Sequence, residues 1–332
     1  MSRPDVESRR RGGKLIPERS AWATHAALLC VQFAFASQAV EAKVAMAPRA
    51  DGGEEIFPEA LAMMRMLGGA LFFQVLLRGA RSLGPAAATK EVAITRADHL
   101  RLAGLSVLGI ALNQTLFLIG LRWTTPFSVS LLGATIPIFT AVLAVVFGKE
   151  TRSWRVVVGL VLALSGVLSL IGVGSLDPGA LLVALNSLSY AAYVVLSRDV
   201  VLRVGALRSV TWIFTYAALM FAPFGVRALI AQVPQITGRG AMFVGYIVVV
   251  PTIIAYLLNA WALARSSATL VTVYIYLQPL IAATLAYVQL GHGVTTRAAI
   301  AAPLILLGLG VVATRKQARA PAHSEAEKGD GS

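Results

Sequence analysis

The sequence predicts an all-α polytopic membrane protein: ten transmembrane helices arranged as two inverted five-helix repeats. Three observations carry that expectation. First, the chain is too apolar for a water-soluble core. Of its 332 residues 57% are hydrophobic and 14% charged, with a mean hydropathy of +0.74, against roughly 45–50% and 25% in soluble domains. Second, the apolar residues form long continuous runs parted by short breaks carrying Gly, Pro, Arg or Thr. Such runs suit helices in lipid and exclude the alternating pattern of a barrel. Third, the stretch from Leu121 to Gly172 returns later in the chain. At one shift of 142 residues, without a gap, Leu121 falls on Leu263, Pro137 on Pro279, Glu150 on His292, Arg155 on Arg297 and Gly166 on Gly308.

Taken in order, residues 1–20 read as a cytoplasmic basic tail, with Arg9, Arg10, Arg11, Lys14 and Arg19 placed to meet anionic lipid. The run at 21–47 imitates a signal peptide, because Ala45-Met46-Ala47 resembles a cleavage site. It is too long, is interrupted by Gln38, Glu41 and Lys43 and is followed by Pro48, so it reads as a retained span. About 20 apolar residues are needed to cross a bilayer. The further spans fall near 58–78, 101–121, 125–147, 153–173, 179–200, 206–228, 240–263, 267–289 and 297–314. The first five make a repeat at 21–173 and the last five a repeat at 179–314. Residues 315–332 are polar and Ala/Glu/Lys-rich, a disordered cytoplasmic tail.

Charge sets the orientation. With the N-terminus in the cytoplasm, inside segments hold about 22 of the 29 Lys and Arg and outside loops about 5. Both termini are then cytoplasmic, in the inner (cytoplasmic) membrane. Five is odd, so the second repeat enters the membrane upside down. Lys149, Arg152 and Arg155 after helix 4 stay inside, and Arg297 after helix 9 lies outside. Inverted repeats of this kind are characteristic of secondary transporters.

The remaining classes are narrowed by absence. The net charge of +13 is spread over inter-helix breaks and forms no basic patch with aromatics, so nucleic acid is not an expected partner. Cys30 is the single cysteine and the four histidines are scattered, which leaves no intrachain disulfide and no metal-ligand spacing. There is no GxxxxGK[ST] loop for ATP. No cofactor is expected. The expected partners are the lipid bilayer and a small-molecule substrate, with the chain a monomer or homodimer.

The residues resemble a known family at this point. Small residues from Ser128 to Thr135 open a helix, Pro137 follows, then Gly148 and Glu150 in a break, then Gly166-Val167. The second copy has Ser266-Ser267-Ala268, Pro279, Gly291-His292 and Gly308. Pro58 with Arg65 in helix 2, and Lys43 and Arg198 at the basic ends of helices 1 and 6, add to the match. The chain resembles the drug/metabolite transporter superfamily, with two EamA-type repeats covering nearly all of Ala21 to Thr314. One departure is His292, where the pattern usually has Glu. The resemblance implies a permease for small organic solutes (metabolites, amino acids or drugs), working as an efflux exporter by alternating access, with proton coupling.

Polar groups at membrane depth are costly and so are candidates for function. In helix 1, Gln38 and Glu41 share a face; Glu41 is the carboxylate placed within a span. It reads either as a proton- or cation-responsive group or as an ion-pair partner of Lys43 or Arg65. Arg65 reads as an anion binder or as a structural partner. Asn113 and Gln114 are adjacent in helix 3, with Phe117 one turn beyond Asn113. Asn186, Tyr190 and Tyr193 stripe helix 6; Thr252, Tyr256 and Asn259 stripe helix 8; Tyr274 and Gln278 lie four apart in helix 9. Amides and phenols among apolar walls suit an organic-solute pocket. Each residue alone is equally served by interhelical hydrogen bonding, worth roughly 0.6 kcal/mol per contact. Pro137 and Pro279 read as mid-helix hinges or static kinks. Gly159, Ala163 and Gly166, with Gly308 and Gly310, read as close-packing faces. Two rival classes stand beside the transporter: an integral-membrane transferase, for which only Asp98-His99 and His292 offer acid–base groups, and a non-transporting scaffold or sensor.

Overall fold

Lipid as solvent requires every backbone polar group to be satisfied within its own segment, and the chain answers with helices alone among the described residues. The structure, a computed structural model, describes residues 18–82, 93–123, 129, 132–171, 178–281, 284 and 296–313. Ten helices are described there. They are α1 (Glu18–Met46), α2 (Pro58–Ser82), α3 (Arg96–Trp123), α4 (Ile136–Val146) and α5 (Trp154–Ile171). The second set is α6 (Pro178–Val204), α7 (Ala206–Gln232), α8 (Gly238–Leu263), α9 (Ala268–Ile281) and α10 (Thr296–Ala313). Six of them, α1, α2, α3, α6, α7 and α8, are long and apolar enough to cross a membrane by themselves; shorter apolar helices represent the rest. The polar tails, the start of helix 4 near Thr125-Pro126, and His292 lie outside the described residues.

Repeat-equivalent helices pack on one another and run antiparallel, which is the inversion expected from the odd helix count. Gly159, early in α5, meets Val312, late in α10, and Ala163 meets Gly308. A Cβ on Gly308 would lie 2.5 Å from the Gly159 carbonyl oxygen, so only glycine permits this approach. A Cβ on Gly310, two residues on, would meet nothing within 4 Å, so close approach does not require glycine there. In α2 and α7, Gln74 donates to Thr215 (3.0 Å), while a Cβ on Gly225 would strike Met63 at the other end. Contacts between α3 and α6 and between α3 and α7 have counterparts between α8 and α1 and between α8 and α2.

Large apolar side chains such as Val157, Val161, Leu181, Leu185 and Leu219 are exposed on outer helix faces, where lipid covers them. Trp22, Trp123 and Trp154 are exposed near helix ends, as interface anchors are.

The charged groups gather at two ends. At one, Asp98 pairs with Arg203, Lys149 with Asp199, and Glu150 accepts from the Thr269 N–H (3.1 Å) at the start of α9. At the other, Arg49 donates to the Gln235 carbonyl (2.6 Å) and Glu54 accepts from Thr237. Lys43 reaches the carbonyls of Leu121 (2.8 Å) and Arg122 (3.3 Å) at the end of α3. Arg198, its match in the second half, reaches the Ser266 carbonyl (3.0 Å) beyond α8. Cations at helix C-termini complement the exposed carbonyls and the dipole.

Two features were not visible in the apolar pattern. Both α3 and α8 widen into π-helical turns, at Val107–Ala111 and Val249–Ile254. The two turns start at the same repeat position, and such turns are frequent at functional sites. Second, Pro137 and Pro279 are not mid-helix. Each is the second residue of a restarted helix, after a turn at 134–135 and after a 3-10 turn at Tyr274–Leu277. A helix start needs no N–H from that position, so proline is accommodated there without a lost bond. Pro137 and Pro279 thus sit at a matched pair of helix breaks.

Candidate functional site

The π turn of α3 frees backbone carbonyls, and side chains from the opposite half take them up. Tyr256 donates to the Gly109 carbonyl (3.3 Å) and Ser189 to the Leu108 carbonyl (2.6 Å). Gly109 must lack a Cβ, because the Tyr193 ring would lie 2.3 Å from one. In α8, Pro251 has no N–H for the Ile247 carbonyl four residues back. Thr252 Oγ1 donates to that oxygen instead (2.8 Å) and in turn accepts from Arg65 Nε (2.9 Å). A backbone gap made by one proline thus fixes the seat of a buried guanidinium.

Residues that follow both turns, Asn113 and Gln114 in α3 and Tyr256 in α8, line a cavity of about 90 Å³. Phe35 and Gln38 of α1, Asn113, Gln114 and Phe117 of α3, and Asn186 and Tyr190 of α6 line it. Tyr256 of α8, Ile275 and Gln278 of α9, and Gly133 and Ile136 before and at the start of α4 complete the wall. The lining obeys the repeat: Gly133 matches Ile275, Ile136 matches Gln278, and Gln114 matches Tyr256. The last two meet directly, Gln114 Nε2 donating to Tyr256 Oη at 2.9 Å. The cavity therefore sits on the two-fold relation between the halves. Among the described residues no formally charged side chain lines it.

Of the residues expected to bind solute, Gln38, Asn113, Gln114, Asn186, Tyr190, Tyr256 and Gln278 stand in this wall. Asn113 and Asn186 each donate to the other's backbone carbonyl (3.2 and 2.8 Å), tying α3 to α6. Three others stand outside it. Asn259 is a layer behind, donating to Tyr190 Oη (3.2 Å). Tyr193 is buried against Gly109. Tyr274 bonds His25 of α1, away from the lining. Stripes at helical spacing fix a face but not its depth, which is why these were grouped with the rest. Pattern reading also missed Gln32, buried in α1, whose Oε1 accepts from Gln278 Nε2 (2.8 Å). It lies six residues before Gln38, off the Gln38–Glu41 face, so helical spacing offered no signal for it; its amide within an apolar run was the signal that could have found it.

Among the charges expected to couple or brace, Glu41 is half-buried in α1 and Lys43 caps α3. Arg65 is 1% exposed. It bonds Thr252 and, through Nη2, Gln38 Oε1 (3.1 Å); no carboxylate among the described residues pairs with it. The described residues hold no group of three or more His, Cys, Asp or Glu that could bind a metal.

The arrangement resembles known proteins. The model of the EamA-like transporter family matches residues 23–172 and 177–314. An uncharacterized transporter of Archaeoglobus fulgidus is 24% identical over 59% of this chain and 69% of its own length. The uncharacterized inner membrane transporter YedA of Escherichia coli is 30% identical over 46% of this chain, spanning half of YedA. The uncharacterized transporter YdfC of Bacillus subtilis is 28% identical over 73% of this chain and 77% of its own. A solved crystal structure shares the fold, with a TM-score of 0.65 at 18% identity, over 89% of this chain and 96% of that one.

Proposed function

The chain belongs to the EamA-like transporter family and is a multi-pass membrane transporter, and from that premise we propose that it is a secondary transporter of small organic solutes, working by alternating access around the cavity between its halves. The observation that carries the proposal is the cavity's place and make-up. It is lined from both halves of the chain, beside the two helix breaks, by amides, phenols and aromatic rings. Ligand pockets for organic molecules run to about 300–1,000 Å³. The cavity's 90 Å³ is therefore a contracted form that must widen to admit solute. Helix breaks beside it, at 134–135 and Tyr274–Leu277, are where widening costs least, since few backbone bonds have to be broken there.

Export and proton coupling belong to the same proposal. The first rests on the family resemblance, the second on Glu41, a half-buried carboxylate in α1. Both termini are assigned to the cytoplasm by the charge bias of the loops. The test is transport by the purified full chain in proteoliposomes against a panel of amino acids, nucleosides and drugs, with a thermal-shift screen alongside. A solute that is both moved and stabilising, and loses both effects in Asn186→Ala, supports the site. Transport that survives every lining substitution refutes it. Modification of lipid or sugar donors without movement of any solute would favour a membrane transferase. Glu41→Gln with an unchanged pH dependence of transport removes the coupling role.

A further inference from the structure

Among the described residues Arg65 is the largest fully buried side chain, and no carboxylate there matches its charge. Nε goes to Thr252 and Nη2 to Gln38, both neutral acceptors; Nη1 has no hydrogen-bond partner. Arginine stays protonated even when buried, so the protein holds a desolvated cation with a free donor. Such a group is costly unless something anionic completes it. Gln38 connects it to the cavity, since the same side chain lines the wall and accepts from Arg65. A second group of the wall is incomplete: Gln114 gives Nε2 to Tyr256, while its Oε1 is buried without a partner. The unfilled donor thus lies one residue behind the wall, beyond Gln38, and the unfilled acceptor belongs to Gln114, a residue of the wall.

Resting on the proposal that this cavity is the solute site, we infer that Arg65 is the anchor for a carboxylate on the transported solute, with Gln38 occupying the anchor's acceptor position when solute is absent. A single guanidinium neutralises a monoanion, and its planar fork fits a carboxylate with two parallel N–H···O bonds. A phosphate dianion would leave a second charge uncompensated, because the lining supplies no other cation. The carboxylate displaces the Gln38 amide oxygen from Nη2 and engages Nη1. The Gln114 oxygen accepts an N–H or O–H elsewhere on the same molecule, and the aromatic edges of Phe35 and Tyr256, whose ring centroids are 5.7 Å apart, take its apolar part. Gln38 thereby couples occupancy to movement of α1 against α2.

The experiment uses the purified full chain in detergent and in proteoliposomes, with acid and amide pairs as probes: phenylacetate with phenylacetamide, and propionate with propionamide. The wild type should prefer the acids by about tenfold or more in apparent affinity, as a charge-assisted hydrogen bond implies. Arg65→Gln should abolish that preference while binding of the amides persists. Gln38→Ala keeps the guanidinium and removes its competitor, so acid affinity should rise; this variant carries the test should Arg65→Gln fail to fold. Chloride and inorganic phosphate at matched ionic strength should give no stabilisation. The anchor is overturned by equal binding of acid and amide, by a preference that survives Arg65→Gln, by acid affinity unchanged in Gln38→Ala, or by equal stabilisation with phosphate. Amides bound and moved with acids excluded would overturn the anchor and leave the transporter reading standing. A preparation that neither binds nor moves any probe or panel solute would overturn both.

Discussion

The pairs α5–α10 and α3–α8 are both made of repeat-equivalent helices meeting across one inverted relation, yet their contacts are chemically opposite. The first is dry: Gly159, Ala163, Gly308 and Val312 bring backbones so close that not even a methyl fits at Gly308. The second is polar and loosened by π turns, with Gln114 on Tyr256 at its centre and buried polar atoms left incomplete around it. Close-packed backbones have one arrangement and resist change. Amides and phenols beside freed carbonyls have several arrangements of similar energy. The difference teaches that duplication supplied two equivalent seams, and that residue size and polarity then made one a fixed clamp and the other a polar seam, the place the proposed function assigns to solute.

The comparison breaks first at the clamp. Gly308→Val places a branched side chain where a Cβ already meets the Gly159 oxygen at 2.5 Å. Overpacking costs about 1–3 kcal/mol or more, and we expect loss of a monodisperse peak in size-exclusion chromatography or a large drop in melting temperature. A variant of unaltered stability would mean that α5 and α10 are not clamped. The second prediction sharpens the polar seam. Tyr256→Phe removes bonds to Gln114 and Gly109, each worth roughly 0.6 kcal/mol in a membrane, so stability should change little. Solute transport should fall about tenfold if each lost contact is also made in the transport cycle. A large stability loss with transport per folded molecule intact would make the pair structural.

The third concerns an end contact. Glu150→Gln keeps an acceptor for the Thr269 N–H but removes the charge at the start of α9, a loss of about 0.3–1 kcal/mol read from thermal unfolding. No change would show that the carboxylate's charge is immaterial there. Gly310→Ala is the control for the clamp, since its added methyl meets nothing. A shift within about 0.5 kcal/mol is expected, and destabilisation as large as at Gly308 would mean that the clamp depends on glycine flexibility and not on close approach.

The sequence by itself determined the all-helical membrane fold, because long apolar runs in lipid leave no other way to satisfy the backbone. It also determined the inversion, because the match of Pro137 with Pro279 and Gly166 with Gly308 was separated by an odd number of spans. It located most of the cavity's amides and phenols, since a polar side chain on an apolar helix is conspicuous. Only the tertiary structure decided which of those face one another. Helical spacing reports the direction of a side chain from its own axis and nothing about the helix opposite, so the pairing of Gln114 with Tyr256 and of Gln32 with Gln278, and the withdrawal of Asn259 and Tyr193 behind the wall, were not legible. The π turns were hidden for the same reason: an extra residue in a turn leaves no mark on composition, and it is stabilised by partners such as Ser189 and Arg65 that arrive from distant parts of the chain.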